Sequence, residues 1–168
     1  MKKRILYIII TLLCPIMAHA QIDTDRVMSI GRNALYFEDY VLSIQYFNQV
    51  INAKPYLAES YFYRGLAKFN LDDYQGAEED CSEALERNPF VVSAYQIRGL
   101  ARIQQENYTG AIEDYQKALK LDPENINVWH NLSLCRMKND DYDGAKRSLD
   151  SLILISPRYT KAYLMRGE

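Results

Sequence analysis

Beyond the first twenty residues, proline occurs at Pro55, Pro89, Pro123 and Pro157, each 34 residues from the next. Tyrosine keeps the same interval at Tyr40, Tyr74, Tyr108 and Tyr142. Glycine keeps it at Gly31, Gly65, Gly99 and Gly167, with Ser133 filling the gap. Three residue types in one register describe a chain assembled from copies of a single supersecondary unit. The copies run over 24–57, 58–91, 92–125 and 126–159, and residues 160–168 begin a further one or form a truncated cap.

Each copy holds two apolar segments of helical period on either side of a polar turn, such as Asp72-Asp73, Glu106-Asn107 and Asp140-Asp141. Small residues mark where the two helices of a hairpin approach: Gly65 against Ala77, and Gly99 against Ala111. Proline closes each second helix, because it disfavours helical geometry in the residue before it. A hairpin of this size cannot bury its apolar stripe alone, so neighbouring copies stack.

The register resembles that of the tetratricopeptide repeat (TPR) family, whose pattern is an aromatic, then Leu-Gly, later Ala-x-x-x-aromatic, then Pro. The third copy carries it as Tyr95, Gly99, Tyr108, Ala111, Tyr115, Ala118 and Pro123. The second reads Tyr61, Gly65, Tyr74, Ala77, Cys81, Ala84 and Pro89, and the fourth Trp129, Leu132, Tyr142, Ala145, Leu149 and Pro157. Ser133 and Leu152 depart from small-residue positions, and the first copy diverges most. The resemblance implies an all-α, right-handed α-solenoid that mediates protein–protein contacts through a concave groove lined by the first helix of each unit. Carried over by position, that groove presents Met28 and Arg32, Phe62 and Tyr63, Gln96 and Ile97, then His130 and Asn131, with Leu66, Leu100 and Leu134 packing as its floor. Some members grip a C-terminal carboxylate with lysine, asparagine and arginine. Here Ser29, Tyr63 and Ile97 stand in those places and only Asn131 matches, so the expected partner is a protein or peptide segment held through apolar anchors.

Arginine interrupts the apolar pattern at Arg64 and Arg98, where the family favours leucine. In both units an aspartate follows sixteen residues later, Asp80 and Asp114. The first and fourth units have Ile30 and Leu132 in the arginine place and Tyr46 and Ser148 in the aspartate place. Charges that occur together and vanish together are expected to pair within their own repeat, because a half-buried guanidinium needs an acceptor. Arg166 has no such partner downstream.

Composition narrows the function. The positive start Lys2-Lys3-Arg4, the apolar run Ile5 to Leu13 and the small-x-small Ala18-His19-Ala20 read as a bacterial secretory signal peptide over residues 1–20, with an uncleaved anchor as the alternative. Its removal lowers the 20 basic residues to 17 against 22 acidic ones, a balance of −5 that offers no basic face for nucleic acid. The expected location is the bacterial periplasm or cell surface. Cys81 and Cys135 fall two units apart, on different helices, and are expected to be buried and unbridged. One histidine, His130, remains without a nucleophile partner. The run Asn139 to Gly144 lacks EF-hand spacing. No catalysis, cofactor or metal is expected. The reading is an exported scaffold or adaptor; the alternative is a regulatory or sensing segment of a longer protein.

Overall fold

In a computed structural model, residues 23–167 are described; the predicted signal peptide lies outside them. The described residues form nine helices and no strand. They are α1 (Thr24–Tyr36), α2 (Tyr40–Ala53), α3 (Ala58–Asn70), α4 (Tyr74–Arg87), α5 (Val92–Gln104), α6 (Tyr108–Leu121), α7 (Ile126–Lys138), α8 (Tyr142–Ile155) and α9 (Thr160–Arg166). Each helix packs on the next, and α1 also meets α3 while α3 meets α5. The odd-numbered helices therefore line the inner side of an α-solenoid, and the even-numbered helices form its outer layer.

The turn inside each hairpin is the same object four times. Glu38, Asp72, Glu106 and Asp140 all adopt positive φ, between 58° and 62°. This left-handed residue lets the helix end as a Schellman motif. In the second unit the Asp73 N–H reaches the Lys68 carbonyl at 3.0 Å and the Asp72 N–H reaches the Phe69 carbonyl at 3.1 Å. The next residue caps the following helix: Asp39, Asp73, Asn107 and Asp141 each accept from the backbone N–H three residues on. Asp140 and Asp141 are thus turn and cap residues, and the Tyr142 hydroxyl donates to Asp140 at 3.0 Å. At the far end, Lys54, Asn88, Asp122 and Ser156 leave helical geometry with φ between −144° and −134°, as the proline after each demands.

The core is continuous through units two to four, where Tyr61, Ala84, Tyr95, Tyr115, Leu119, Val128 and Leu132 pack together. Met28, Phe47 and Val50 close the first unit, and Leu149, Leu152 and Ala162 join α8 to α9. The glycine register has two different causes. A Cβ on Gly65 would sit 3.2 Å from the Ala77 carbonyl and 3.1 Å from Cys81 Sγ, so two helix backbones meet there. On Gly99 it would meet the Tyr115 ring at 2.9 Å, so the close partner is an aromatic side chain and not Ala111. Gly31 meets Phe47 in the same way, at 2.8 Å.

Candidate functional site

The inner face carries the groove residues expected from sequence, with unequal access. Arg32 is exposed; Phe62, Tyr63, Gln96, Ile97, His130 and Asn131 are half-buried. Met28 is only 7% exposed and belongs to the first core cluster, because α1 turns it toward Phe47. Leu66 and Leu100 are half-buried, but Leu134 is 38% exposed, so it does not pack as floor between units.

Three of these residues come together. Tyr63 stacks on Phe47 with ring centroids 5.6 Å apart and planes 15° from parallel, and Phe62 tilts against Tyr63 at 5.1 Å. The Arg32 guanidinium lies over the Tyr63 ring at 5.9 Å and pairs with Glu59 at 3.2 Å. Farther along, the Gln96 amide donates to Asn125 at 3.2 Å. Asn125 is the N-cap of α7, so Gln96 is held by the unit that follows it. His130 meets Tyr159 edge-on at 5.8 Å; burial and then Lys161 lower its pKa, favouring the neutral imidazole. Burial raises the pKa of the Tyr115 hydroxyl strongly, and its neighbour Asn131 opposes the shift only in part.

Two clefts on the surface are lined by described residues. One of about 240 Å³ lies between α1 and α3, lined by Met28, Arg32, Leu57 and Glu59 among others. The other, about 290 Å³, lies between α7, α8 and α9 around Met137, Leu149 and Met165. Both fall below the roughly 300–1,000 Å³ of a small-molecule site. An extended strip of half-buried side chains suits an elongated ligand better.

The arginines occupy the interior of the hairpins. Arg64 donates from Nε and Nη2 to the two oxygens of Asp80 at 2.8 and 2.5 Å, and Arg98 does the same to Asp114 at 2.9 and 2.6 Å. Both aspartates are buried, Asp114 completely. The hydrogen bond to Asp80 raises the Arg64 pKa, and burial only partly offsets it. At Arg98 burial pulls downward and the Asp114 hydrogen bond and charge more than compensate. Both remain cations.

A pairing confined to one repeat is only half of the arrangement. Each arginine also reaches back sixteen residues into the preceding unit: Arg64 Nη1 to Asn48 Oδ1 at 2.6 Å, and Arg98 Nη1 to Ser82 Oγ at 3.0 Å. Arg166, expected to lack an aspartate, makes the same backward reach to Asp150 at 2.6 Å. The positions Asn48, Ser82 and Asp150 share one register, so the guanidinium ties successive hairpins together. A second cation one helical turn on completes the network. Lys68 Nζ lies 2.9 Å from Asp80, Arg102 Nη1 lies 2.9 Å from Asp114, and Arg136 Nη1 donates to Ser148 at 2.7 Å. Lys68, Arg102 and Arg136 were visible in the 34-residue register, as were Gly76, Gly110 and Gly144, whose carbonyls they meet.

Cys81 and Cys135 are free and buried, and burial pushes both thiols up to about 12. Among the described residues no group of His, Cys, Asp or Glu is placed to hold a metal ion.

Family models agree with this register. One described as tetratricopeptide repeat matches residues 58–90, and one described as TPR repeat matches residues 99–140. The chain is a tetratricopeptide repeat protein. Solved structures superpose on this TPR protein along most of its length. MamA shares 19% identity over 88% of this chain and 86% of its own, with a TM-score of 0.79, a likeness of fold. The first TPR of Spaghetti (RPAP3), solved bound to the HSP90 peptide SRMEEVD, shares 26% identity over 68% of this chain and 93% of its own, with a TM-score of 0.66. YrrB, described as a TPR protein with an unusual peptide-binding site, shares 14% identity over 86% of this chain and 75% of its own, with a TM-score of 0.78. No curated protein sequence matches this TPR protein.

Proposed function

We propose that this TPR protein is an exported, non-catalytic adaptor whose inner face binds a protein segment through apolar anchors. The observation that carries the reading is the state of the groove side chains. Phe62, Tyr63 and Ile97 present half-buried apolar surface in a row, while the exposed groove cation Arg32 is engaged by Glu59 and Tyr63. Aromatic and aliphatic groups of this kind act as anchors for a helix or an extended peptide. Peptide recognition by similar folds, an HSP90 peptide on Spaghetti and the site in YrrB, supports the class of partner. An acidic peptide such as the SRMEEVD of the Spaghetti complex is a poor fit here, because its carboxylates would have to displace Glu59 from Arg32. Export is supported by the Lys2-Lys3-Arg4 start, the Ile5–Leu13 run and Ala18-His19-Ala20, and it places the adaptor in the periplasm or on the cell surface.

Selection from a displayed peptide library tests the binding mode. Sequences with two or three spaced aliphatic or aromatic residues are expected. Ile97→Asp should weaken the best of them by tenfold or more, about 1.4 kcal/mol. Enrichment of acidic C termini, or binding indifferent to Ile97→Asp and Tyr63→Ala, would overturn it. N-terminal sequencing of the exported protein should begin at Gln21.

A further inference from the structure

The outer layer contains one helix unlike the rest. α4, α6 and α8 each carry four or more charged residues, whereas α2 (YVLSIQYFNQVINA) carries none. The difference falls on the solvent side. Val41, Gln45, Gln49 and Asn52 recur at helical spacing and are all exposed, so they form one stripe along α2. The same stripe on α4 reads Gln75, Glu79, Glu83 and Glu86, and on α6 Thr109, Glu113, Lys117 and Lys120.

The end of the stripe is apolar as well. Tyr36 is 81% and Phe37 76% exposed, set edge to face at 5.2 Å, and Val41 beside them is 59% exposed. The equivalent places in later units are Asn70 and Leu71, Gln104 and Gln105, and Lys138 and Asn139. Depletion of charge together with exposed aromatics distinguishes the core of a protein interface from ordinary surface. The three sister hairpins supply the control within one molecule.

We infer that this α2 stripe, with Tyr36 and Phe37 at its end, is the contact surface of a two-fold dimer of this chain, α2 laid antiparallel on α2. Charge selects a second copy as the occupant. In a two-fold interface the patch meets its own copy, so a stripe of one sign confronts like charge. The Glu79-Glu83-Glu86 face of α4 would repel its own copy, and the neutral face of α2 does not. Glu38 and Asp39 lie at the turn and form a polar rim, with Asp39 already engaged by the Leu42 N–H. Size sets the strength. A 14-residue helix is about 21 Å long, and two exposed aromatics per copy add roughly 150–250 Å² each. The buried total sits near the lower end of specific interfaces, roughly 1,200 Å². An interface of that size is at the weak, transient end, so the dimer is concentration-dependent. Its surface lies on the outside of the solenoid and leaves the inner groove open.

Sedimentation equilibrium on the full chain and its variants tests this, because the N-terminal segment is common to all of them. The wild-type mass should rise from monomer toward dimer with concentration. Gln45→Glu and Gln45→Lys, both on exposed helix surface, should each weaken association at least tenfold without changing the circular dichroism melt, and an equimolar mixture of the two should associate again. Glu83→Gln on α4 should change nothing. A chain that stays monomeric to about 1 mM, or a dimer indifferent to both Gln45 substitutions, would overturn the proposal.

Discussion

The junction between the second and third units and the junction between the third and fourth do the same job with opposite chemistry. In the first, Arg98 spans from Asp114 in its own hairpin to Ser82 in the preceding one, and Arg102 adds a 2.8 Å pair with Glu78 across the same boundary. In the second, Leu132 stands in the arginine place, 1% exposed, packed with Val128, Tyr115 and Leu119. The backbone register is identical. The polar junction depends on a complete set of partners, because a guanidinium or carboxylate left alone in the interior is costly. The apolar junction depends on shape and area alone. One is directional and vulnerable to the loss of any member; the other degrades by degrees.

The largest effect is expected from Asp114→Ala. It removes the buried carboxylate that Arg98 and Arg102 share, leaving them Ser82 and Glu78 as acceptors. Urea unfolding followed by circular dichroism should show a loss of about 3–5 kcal/mol. A loss below about 1 kcal/mol would mean that the pair behaves like a surface salt bridge and that the two junctions do not differ as argued.

Next comes a transplant of the polar tie into the fourth unit. Leu132→Arg alone places an unpartnered cation in the core, and Ser148→Asp alone sets a carboxylate beside Arg136, which already donates to Ser148 at 2.7 Å. Combined in a double-mutant cycle, the two should recover about 1–3 kcal/mol relative to the sum of the single changes. Strict additivity would show that Leu132 has a packing role no charge pair can replace.

A smaller effect isolates the cross-unit bond. Ser82→Ala removes the acceptor for Arg98 Nη1, together with the hydroxyl's donation to the Glu78 carbonyl in its own helix, and should cost about 0.5–1.5 kcal/mol in the same assay. The equivalent change at the third-to-fourth junction, Gln116→Ala, alters an exposed residue in register with Ser82, sixteen positions before Leu132, and should stay within about 0.5 kcal/mol. Equal costs at the two sites would erase the contrast.

The smallest effect concerns pH. The folded protein holds His130 below its ordinary pKa, so on acidification through about 6.5 the unfolded chain takes up a proton more readily than the folded one. The contribution is present above that pH and is lost as pH falls. The melting temperature of wild type should therefore drop more between about pH 7 and pH 5.5 than that of His130→Gln. An equal drop in both would remove His130 from the fourth unit's acid response.

Much of the fold was legible before any coordinates. Prolines in register mark the ends of the second helices, and the 34-residue interval implies stacked hairpins. The Arg64–Asp80 and Arg98–Asp114 partnerships were legible because both members recur and both lapse together. The backward reach to Asn48, Ser82 and Asp150 was not, because an amide, a hydroxyl and a carboxylate share only the ability to accept a hydrogen bond. The left-handed turns were equally hidden: Glu38, Asp72, Glu106 and Asp140 fill a place where glycine would have announced the conformation. Among the residues expected in the groove, position along the first helices could not grade access. Met28 turned inward and Leu134 outward, since a helix's place in sequence does not say how far its neighbour covers it.

By itself, the sequence determined the repeat, its register and the all-helical class, because each follows from local chemistry: helix period, cap, turn and proline, repeated until chance is excluded. Tertiary structure decided which side chains are spent inside. It made Arg64, Arg98 and Arg166 ties between hairpins, committed Arg32 to Glu59, and left the uncharged side of α2 facing solvent. Those outcomes depend on what lies sixteen or more residues away and on which surfaces the stacking covers. Such distances and coverage exist only once the hairpins have packed.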